Sequence, residues 1–336
     1  MLPKEIAKHF SNKTALVTGG TGLVGRAVCA ILVSTGCKVT SMSMDNLELD
    51  PMVNYWKGDL FDFNLCKKVI RDFDYVFHLA GVKGSPKMSA LKPAKFFVPT
   101  VMMNINVLEA ARLNKIPRLV YTSSIGAYSN NGDLREEPID PRLTEFPSPM
   151  DGYPGWGKLI GEMQINTYRK TYPFVVDGWT ICRLSSTYGP GDNFDPENAM
   201  VIPSFLSKIM AGEKLTVVGD GTQTRDFLFS ADAALGIILA GFYTARPFIN
   251  IGSGKGTTIH TLLETLQKIH PFRYEYNYTN FHDNHKSKVL NTDYAKARMG
   301  FVASTSLEDG LRITWDWLCR HKSEHLNKIN YFRGAE

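Results

Sequence analysis

A glycine-rich segment, Thr-Gly-Gly-Thr-Gly-Leu-Val-Gly from Thr18 to Gly25, limits the possible folds of this chain more than any other feature. It follows a β-rich run at residues 13–18 and precedes apolar residues at helical spacing. Gly19 permits a tight turn, Gly22 lets a pyrophosphate approach the backbone, and Gly25 allows the helix to pack closely on the strand. A glycine motif between a strand and a helix indicates a dinucleotide-binding loop, with a purely structural turn as the alternative.

Strand-like and helix-like segments alternate through the first half of the chain, which is typical of a parallel sheet with crossover helices. The predicted strands are residues 13–18, 38–42, 75–80, 118–123 and 178–184, and the predicted helices are 22–35 and 99–114. We therefore predict an α/β fold, a Rossmann-type doubly wound parallel sheet with a smaller C-terminal α/β substrate lobe. The expected domains are residues 1–184, with a return segment near 230–255, and residues 185–336.

The composition fits a folded protein of enzyme size and argues against several other classes. Of 336 residues, 38 are Lys or Arg and 33 are Asp or Glu, without a dense basic run, so no nucleic-acid partner is predicted. The five cysteines are scattered, which is typical of reduced thiols in a cytoplasmic protein. No apolar run is long enough to span a membrane. His282 and His285 have no third ligand nearby, so no metal is predicted.

An acidic residue that binds the adenosine ribose is expected where the second predicted strand ends. Ser43 and Asp45 stand eighteen and twenty residues after Gly25. A serine would remove the charge that repels a 2′-phosphate, whereas Asp45 would favour NAD over NADP. Because no arginine is adjacent, the sequence favours NAD as the cofactor, with NADP as the alternative.

Further motifs follow the glycine-rich segment: HLAG at 78–81, YTSS at 121–124, Lys158, RLSSTYGPGDNF at 183–194 and GDGTQTRDF at 219–227. Together with the TGxxGxxG spacing, this ordered set resembles the extended short-chain dehydrogenase/reductase family. More narrowly, it resembles the NAD-dependent nucleotide-sugar epimerases, dehydratases and 4-keto reductases, from about residue 13 to 317. The segment DNFDPENAMVIP at 192–203 is similar to GDP-fucose synthase. The resemblance implies a nucleotide-sugar substrate and a homodimer formed by helices at about 99–114 and 155–171.

The resemblance also implies further cofactor contacts. Leu23 and Val24 would belong to the cofactor loop, Asp59 and Leu60 would lie at the adenine, and Leu79, Ala80 and Gly81 would line the ribose and nicotinamide. For Asp59, capping of a turn is the alternative role.

The chemistry that the resemblance implies is oxidation or reduction at a sugar carbon, usually C4, with a tyrosinate as the base. Lys158 fits the lysine that binds the cofactor and lowers the tyrosine pKa. Ser124, with Ser123 beside it, fits the hydroxyl that binds the sugar oxygen, although both could instead cap the following turn.

The tyrosine departs from the family pattern. It is usually four residues before the lysine, but Pro154 occupies that place and Tyr153 is five residues before Lys158. Because a proline biases the preceding residue away from helical conformation, Tyr153 is expected outside the helix, with Pro154 at its first position. Either a one-residue bulge brings the Tyr153 phenol to the usual place, or the base is displaced and activity is altered.

The nucleotide half of the substrate would be held by Asn193, Val201, Lys208 and Arg225. The Arg225 guanidinium can bind a diphosphate through two hydrogen bonds, with a surface salt bridge to Asp226 as the alternative. Lys286 and Lys288 could contribute or simply be solvated.

Two residue positions narrow the reaction. Dehydratases of the family carry an acidic residue just after the catalytic hydroxyl, where this chain has Ile125 and Gly126. The 3,5-epimerisation of GDP-fucose synthase needs a Cys and a His, where this chain has Ile125 and Met200. The predicted function is therefore NAD(P)-dependent hydride transfer at C4 of a nucleotide-linked sugar, by a 4-epimerase or 4-keto reductase, with a GDP-sugar favoured. A nucleotide-sugar 4-dehydrogenase and a catalytically silent NAD(P)-binding sensor or scaffold are the alternatives.

Overall fold

The computed structural model describes residues 2–128, 152–195, 198–243, 248–277, 287–321 and 324. The strands within these residues are β1 (Thr14–Thr18), β2 (Lys38–Ser43), β3 (Val53–Lys57), β4 (Tyr75–His78), β5 (Arg118–Ser124), β6 (Trp179–Leu184), β7 (Ser186–Tyr188), β8 (Leu215–Val218), β9 (Thr224–Phe229), β10 (Ile249–Ile251), β11 (Gly256–Thr258), β12 (Tyr274–Asn277) and β13 (Ser287–Lys288).

The α-helices of the same residues are α1 (Lys4–Phe10), α2 (Gly25–Ser34), α3 (Phe63–Val69), α4 (Pro86–Leu91), α5 (Ala94–Leu113), α6 (Tyr153–Thr171), α7 (Pro173–Val176), α8 (Val201–Met210), α9 (Ser230–Tyr243), α10 (Ile259–Ile269), α11 (Asp293–Met299) and α12 (Leu307–Arg320). Within the described ranges, none of them combines the length and the apolar character that crossing a membrane requires.

Seven strands form the main sheet in the order β10-β6-β5-β4-β1-β2-β3, and all neighbours pair in parallel. The chain leaves β1 towards β2 and β3 and then returns to the other side of β1 as β4. The strand order therefore reverses between β1 and β4, and in such sheets ligands bind at the carboxyl ends of the strands beside this point. The predicted Rossmann-type doubly wound sheet is confirmed.

Both faces of this sheet are covered, as the continuous apolar sequence of β1 predicts. Ala15 and Val17 pack into a buried cluster that includes residues of α1, α2 and α9. Leu16, between them, points to the other face and packs into a cluster with residues of α3, α5 and α6. All three side chains are fully buried. The side chains of β1 thus alternate between two buried faces of the sheet, which places this strand at the centre of the molecule.

Several predicted boundaries are confirmed and others are wrong. Helix α2 ends just before Gly36, whose φ of +83° is a conformation that glycine adopts without strain. Helix α5 begins at Ala94 and contains Pro99, five residues earlier than predicted, because the buried Phe96 holds this first turn against the protein. Strand β3 was not predicted, because its outer position leaves most of its side chains exposed and its pattern weakly apolar.

In the part of its second half that the structure describes, the chain forms two smaller sheets. Strand β9 lies between β11 and β13 and also pairs with β7, while β8 pairs with β12. Helices α8, α10 and α12 share one apolar cluster with these strands. The chain also returns to the main sheet, where β10 pairs in parallel with β6. The division into residues 1–184 and 185–336 stays a prediction.

Candidate active site

The glycine-rich segment forms the loop between β1 and α2. Gly19 has a φ of +71°, in the left-handed region that glycine adopts without strain. A Cβ atom at Gly25 would lie 2.1 Å from the Gly19 carbonyl oxygen, so only glycine permits this packing of the helix end on the turn. The Gly22 N–H donates to the same carbonyl oxygen at 3.0 Å. Leu23 and Val24 lead into the first residue of α2. The open, glycine-lined end of α2 suits the pyrophosphate of a dinucleotide.

The two candidates for ribose recognition lie beside this loop. The Ser43 hydroxyl accepts a hydrogen bond from the Thr21 N–H at 3.4 Å, and the Thr21 hydroxyl donates to the Asp45 carboxylate at 3.0 Å. Asp45 is half-buried. A carboxylate in this position can accept hydrogen bonds from a ribose and would repel a 2′-phosphate.

Asp59 and Leu60 follow β3 at the far side of the sheet. The Asp59 carboxylate accepts a hydrogen bond from the Phe61 N–H at 2.9 Å, so it does cap a turn. The side chain of Leu60 is buried, and its carbonyl oxygen accepts a hydrogen bond from the Asn106 amide at 2.9 Å. A contact of either residue with an adenine stays a prediction.

The loop after β4 lies against the glycine-rich loop. The Thr18 hydroxyl accepts hydrogen bonds from the N–H groups of Leu79 and Ala80 at 3.2 and 3.3 Å. A Cβ atom at Gly19 would lie 2.9 Å from the Ala80 Cα, so the two backbones touch. A Cβ atom at Gly81 would lie 3.2 Å from the ammonium nitrogen of Lys158. The loop after β1, predicted to bind the pyrophosphate, and the loop after β4, predicted to line the nicotinamide, are therefore in direct contact.

Lys158 points from α6 towards the carboxyl end of β5. Its Nζ donates a hydrogen bond to the Thr122 carbonyl oxygen at 2.9 Å and lies 5.4 Å from the centre of the Tyr121 ring. The residue as a whole is half-buried, and its ammonium group is surrounded by protein atoms. Burial lowers the pKa of Lys158 to about 8, although the nearby Glu162 carboxylate acts to raise it.

The structure shows that Tyr153 does not share a helix face with Lys158. Helix α6 runs as a regular α-helix from Tyr153 to Thr171, so the one-residue bulge is wrong. Five residues correspond to a rotation of roughly 140° around the helix axis, which directs the two side chains to different sides. Tyr153 is 57% exposed, and its ring centre lies 6.1 Å from that of Phe97.

The expected position of Tyr153 outside the helix is also wrong. Gly152, with a φ of +58°, precedes the first turn, and its carbonyl oxygen accepts the Trp156 N–H at 2.9 Å. Tyr153 is thus the first helical residue and Pro154 the second. A proline is tolerated there because the first N–H groups of a helix have no partner within it.

Ser123 and Ser124 are the last two residues of β5, and of the two only Ser124 is half-exposed. Its hydroxyl oxygen caps the short turn at Ile125–Ala127 by accepting the Gly126 N–H at 3.1 Å, which leaves its own proton for another acceptor. Ser123 is 3% exposed and donates its hydroxyl to the Glu162 carboxylate. A substrate contact of Ser123 would require that buried hydrogen bond to break, and it stays a prediction.

A buried ion pair that the sequence did not predict lies beneath these serines. Arg183 donates from Nε and Nη2 to the two carboxylate oxygens of Glu162 at 2.9 and 2.7 Å. The guanidinium carbon also lies over the rings of Tyr128 and Phe248, 4.2 and 4.1 Å from their centres. The sequence gives only weak signals for this pair. Arg183 is a charged residue in the apolar strand WTICRL, and Glu162 follows Lys158 by four residues, about one turn of a helix.

A second hydrogen-bond network that was not predicted joins three strands of the main sheet, β1, β4 and β5, with the helices α5 and α6. The His78 ring bonds the Thr18 hydroxyl at 2.8 Å and the Asn104 amide oxygen at 3.1 Å. The Asn104 amide then donates to the Tyr121 hydroxyl at 2.9 Å and to the Gly157 carbonyl at 3.1 Å. Burial lowers the pKa of His78 to about 3, with the Lys158 charge acting in the same direction, so the ring is neutral. This network holds the loop after β4 against α6.

The predicted substrate residues lie on the second half of the chain. Asn193 lies in the loop after β7, where its amide oxygen accepts the Asp195 N–H at 3.1 Å. Val201 begins α8 and Lys208 lies about two turns further along the same helix, and both are half-buried. Arg225 lies on β9, on a different sheet.

Arg225 has a basic neighbour. In the parallel pair of β13 with β9, Lys288 is the register partner of Arg225, so both side chains leave the same face. Asp226 points to the opposite face, where its buried carboxylate accepts hydrogen bonds from Ser253 and from the Leu290 N–H. Lys286, His282 and His285 lie outside the described residues.

Two contacts connect the substrate loop with the cofactor loops. Lys83, after β4, donates to both carboxylate oxygens of the buried Asp192 at 2.9 and 3.0 Å. Arg26, after Gly25, packs against Gly191 of the loop after β7, where a Cβ atom would lie 2.1 Å from the Arg26 Nε. Neither contact was predicted, because each joins residues that are remote in sequence. Among the described residues, no group of three or more His, Cys, Asp or Glu side chains could hold a metal ion.

A match to a known protein family covers the strands and loops that form this site. The family model described as the NAD dependent epimerase/dehydratase family matches residues 15–252, from β1 to the end of β10. The chain belongs to this family. The match covers both the glycine-rich loop and the strand end that carries Ser124.

Members of the epimerase/dehydratase family resemble the chain over nearly its whole length. GDP-L-fucose synthase of Azorhizobium caulinodans is 28% identical over 320 residues, covering 91% of this chain and 96% of that protein. UDP-glucuronate 4-epimerase of Thermodesulfobacterium geofontis is 26% identical over 321 residues, covering 90% and 95%. The solved structure of UDP-glucose 4-epimerase with UDP-glucose from Thermotoga maritima is 26% identical, with a TM-score of 0.77 and coverages of 91% and 99%.

Proposed function

We propose that this protein transfers hydride at C4 of a nucleotide-linked sugar with NAD or NADP, as a 4-epimerase or 4-keto reductase. The observation that carries the proposal is the convergence of three groups at the switch point of the sheet. The glycine-rich loop follows β1, and Gly81 follows β4. Ser124 ends β5, and Lys158 donates a hydrogen bond to a backbone carbonyl oxygen of the same strand, that of Thr122. A bound nicotinamide would supply the hydride acceptor and donor. Ser124 would orient the sugar oxygen, and Lys158 would be next to the reacting hydroxyl.

A GDP-sugar is the favoured substrate class, because the segment 192–203 is similar to GDP-fucose synthase and such an enzyme is among the relatives. Arg225 and Lys288 on one face of β9 and β13 would bind the diphosphate. NAD is the favoured coenzyme, because the Asp45 carboxylate is held beside the glycine-rich loop by a hydrogen bond from the Thr21 hydroxyl. We also propose a cytoplasmic location, in keeping with the five free cysteines.

Two other functions remain as proposals. A nucleotide-sugar 4-dehydrogenase would use the same groups and release its keto product. A catalytically silent NAD(P)-binding sensor or scaffold is favoured by one specific observation, the exposed Tyr153 on a different helix face from Lys158.

The experiment that separates these functions is incubation of the pure protein with NAD⁺ and, in turn, with GDP-, UDP- and CDP-sugars, and separately with NADH and the 4-keto forms of these sugars. Turnover would be followed by product analysis and by absorbance in the reduced-nicotinamide band. We expect conversion of at least one sugar without net coenzyme reduction for an epimerase, or net NADH oxidation with a 4-keto sugar for a reductase. Stoichiometric NADH formation would indicate the dehydrogenase. Tight coenzyme binding without conversion of any sugar would indicate the silent protein.

A homodimer through α5 and α6 is proposed from the exposed face of α5. Val98, Met102 and Ile105 are large apolar side chains, all exposed, and their spacing places them on one side of the helix. Met163 of the adjacent α6 is also exposed. Light scattering should give twice the chain mass, and Met102→Glu together with Ile105→Glu should give a folded monomer. A monomeric parent protein would refute this assembly.

A further inference from the structure

The face of α6 that points into the site carries only one group able to exchange a proton with a substrate. Residues one turn apart share a helix face, so Pro154, Lys158 and Glu162 form a row. Pro154 has no titratable group, and the Glu162 carboxylate is buried in its ion pair with Arg183. Tyr153 lies on another side of the helix and is largely exposed.

We propose that the side-chain amine of Lys158 itself accepts and returns the proton of the sugar hydroxyl, and that the Tyr153 phenol is not required. This inference rests on the proposed hydride transfer at C4. It assigns Lys158 a different role from the one that the family resemblance implies, in which the lysine only assists a tyrosinate.

The position of the amine supports this role. Lys158 Nζ donates to the Thr122 carbonyl oxygen at 2.9 Å, two residues before Ser124 on the same strand. It also borders the loop after β4, where any side chain at position 81 would meet it at 3.2 Å. The amine is therefore held between the strand that presents the hydroxyl of Ser124 and the loop predicted to line the nicotinamide.

The charges around the amine allow it to work as a base. Among the described residues, three titratable groups face it: Glu162 on α6, Tyr121 on β5 and His78 on β4. His78 is neutral, burial raises the pKa of Tyr121 far above its usual value, and Glu162 is balanced by Arg183. Since burial lowers the pKa of Lys158 to about 8, a substantial fraction of the amine is neutral near that pH.

The step balances without a further reactant. The sugar O–H bond breaks, and its proton binds the lone pair of neutral Lys158, which becomes the ammonium. The C4–H bond breaks at the same time, its electron pair leaves with the hydrogen to the oxidised coenzyme, and C4–O becomes a carbonyl. The sugar is oxidised and the coenzyme reduced. In the reverse step the ammonium returns the proton to the oxygen. Because the neutral amine is needed, the rate of sugar oxidation should rise with pH through the Lys158 pKa.

The first test compares variants at the two positions. Tyr153→Phe should retain kcat within about threefold, whereas Lys158→Ala should lose at least about 100-fold, the usual contribution of general base catalysis. Added methylamine or ethylamine should restore part of the Lys158→Ala rate, and Lys158→Arg should stay inactive, because a guanidinium remains protonated. A loss of about 100-fold in Tyr153→Phe with unchanged coenzyme binding would overturn the proposal.

The second test does not depend on turnover. Calorimetry of NAD⁺ binding in buffers of different ionisation enthalpy, near the Lys158 pKa of about 8, measures protons released. We expect release from the parent protein and from Tyr153→Phe, because the positive nicotinamide disfavours a charged neighbour, and none from Lys158→Met. Equal proton release from Lys158→Met would overturn the proposal. If no sugar is converted by the parent protein, the proposed function fails; if sugars are converted but Tyr153→Phe is inactive, only the role of Lys158 fails.

Discussion

The buried pair of Glu162 and Arg183 should dominate the stability of the region under the site. Their side chains are 3% and 1% exposed and share two hydrogen bonds of 2.9 and 2.7 Å. The change Glu162→Gln keeps the size of the side chain but leaves the Arg183 charge without a counter-ion. It also turns one of the two acceptors into a donor that faces the guanidinium. Breaking a buried pair in this way costs about 3–5 kcal/mol of unfolding free energy.

This magnitude predicts a measurable change in thermal stability. A chain of 336 residues has an unfolding entropy of about 0.7 kcal/mol per kelvin, so the melting temperature should fall by about 4–7 °C. Urea denaturation followed by circular dichroism would give the free energy independently. Because the Glu162 carboxylate acts to raise the pKa of Lys158, Glu162→Gln should also shift that pKa further down.

A matched control uses the same substitution on the surface. Glu308 pairs with Arg312 one turn along α12, at 2.8 Å, with side chains 41% and 49% exposed. Glu308→Gln should cost less than about 0.5 kcal/mol, since water screens such a pair. If Glu162→Gln were no more destabilising than Glu308→Gln, the reasoning about the buried charge would be refuted.

Three further predictions concern binding and chemical reactivity. Arg225→Ala should raise KM for the nucleotide sugar by roughly 10- to 100-fold with little change in kcat, because a charge-assisted hydrogen bond contributes about 1.5–3 kcal/mol; an unchanged KM in initial-rate kinetics would remove Arg225 from the pocket. Asp45→Asn should increase affinity for NADP relative to NAD by roughly tenfold, about 1.4 kcal/mol, and a ratio unchanged in calorimetric titrations would contradict the role of Asp45. A thiol reagent should modify one cysteine per native chain at neutral pH, the exposed Cys319, since burial raises the pKa of Cys29, Cys37 and Cys66 to about 12. Labelling that persists in Cys319→Ser would show that a buried thiol reacts.

The cofactor side of the fold was predictable because its signal is local. The turn at Gly19 and the close contact at Gly25 join residues only six apart, and the sequence around them specifies both. Strand β1 and its neighbour β4 are buried on both faces, as parallel strands in the middle of a sheet are. Outer elements such as β3 and α1 carry a weaker apolar pattern and were missed.

The catalytic side was less predictable, because one residue of spacing rotates a side chain by about 100° around a helix. The sequence places Tyr153 five residues before Lys158, but it does not fix where α6 begins or whether it contains a bulge. The structure shows a regular helix from Tyr153 onwards. The same limit applies to Glu162 with Arg183 and to Lys83 with Asp192, since such contacts follow from the topology of the sheet and not from neighbouring residues.

The central claim is that the glycine-rich loop binds a nicotinamide dinucleotide at the switch point of the sheet. Calorimetric titration of NAD⁺ into the parent protein and into Gly25→Ala tests this directly, with circular dichroism to establish that both are folded. We predict binding of one coenzyme per chain to the parent protein. Gly25→Ala should lose that binding, because its new Cβ would meet the Gly19 carbonyl oxygen at 2.1 Å and displace the loop. A folded parent protein that binds neither NAD⁺ nor NADP⁺ would contradict the account.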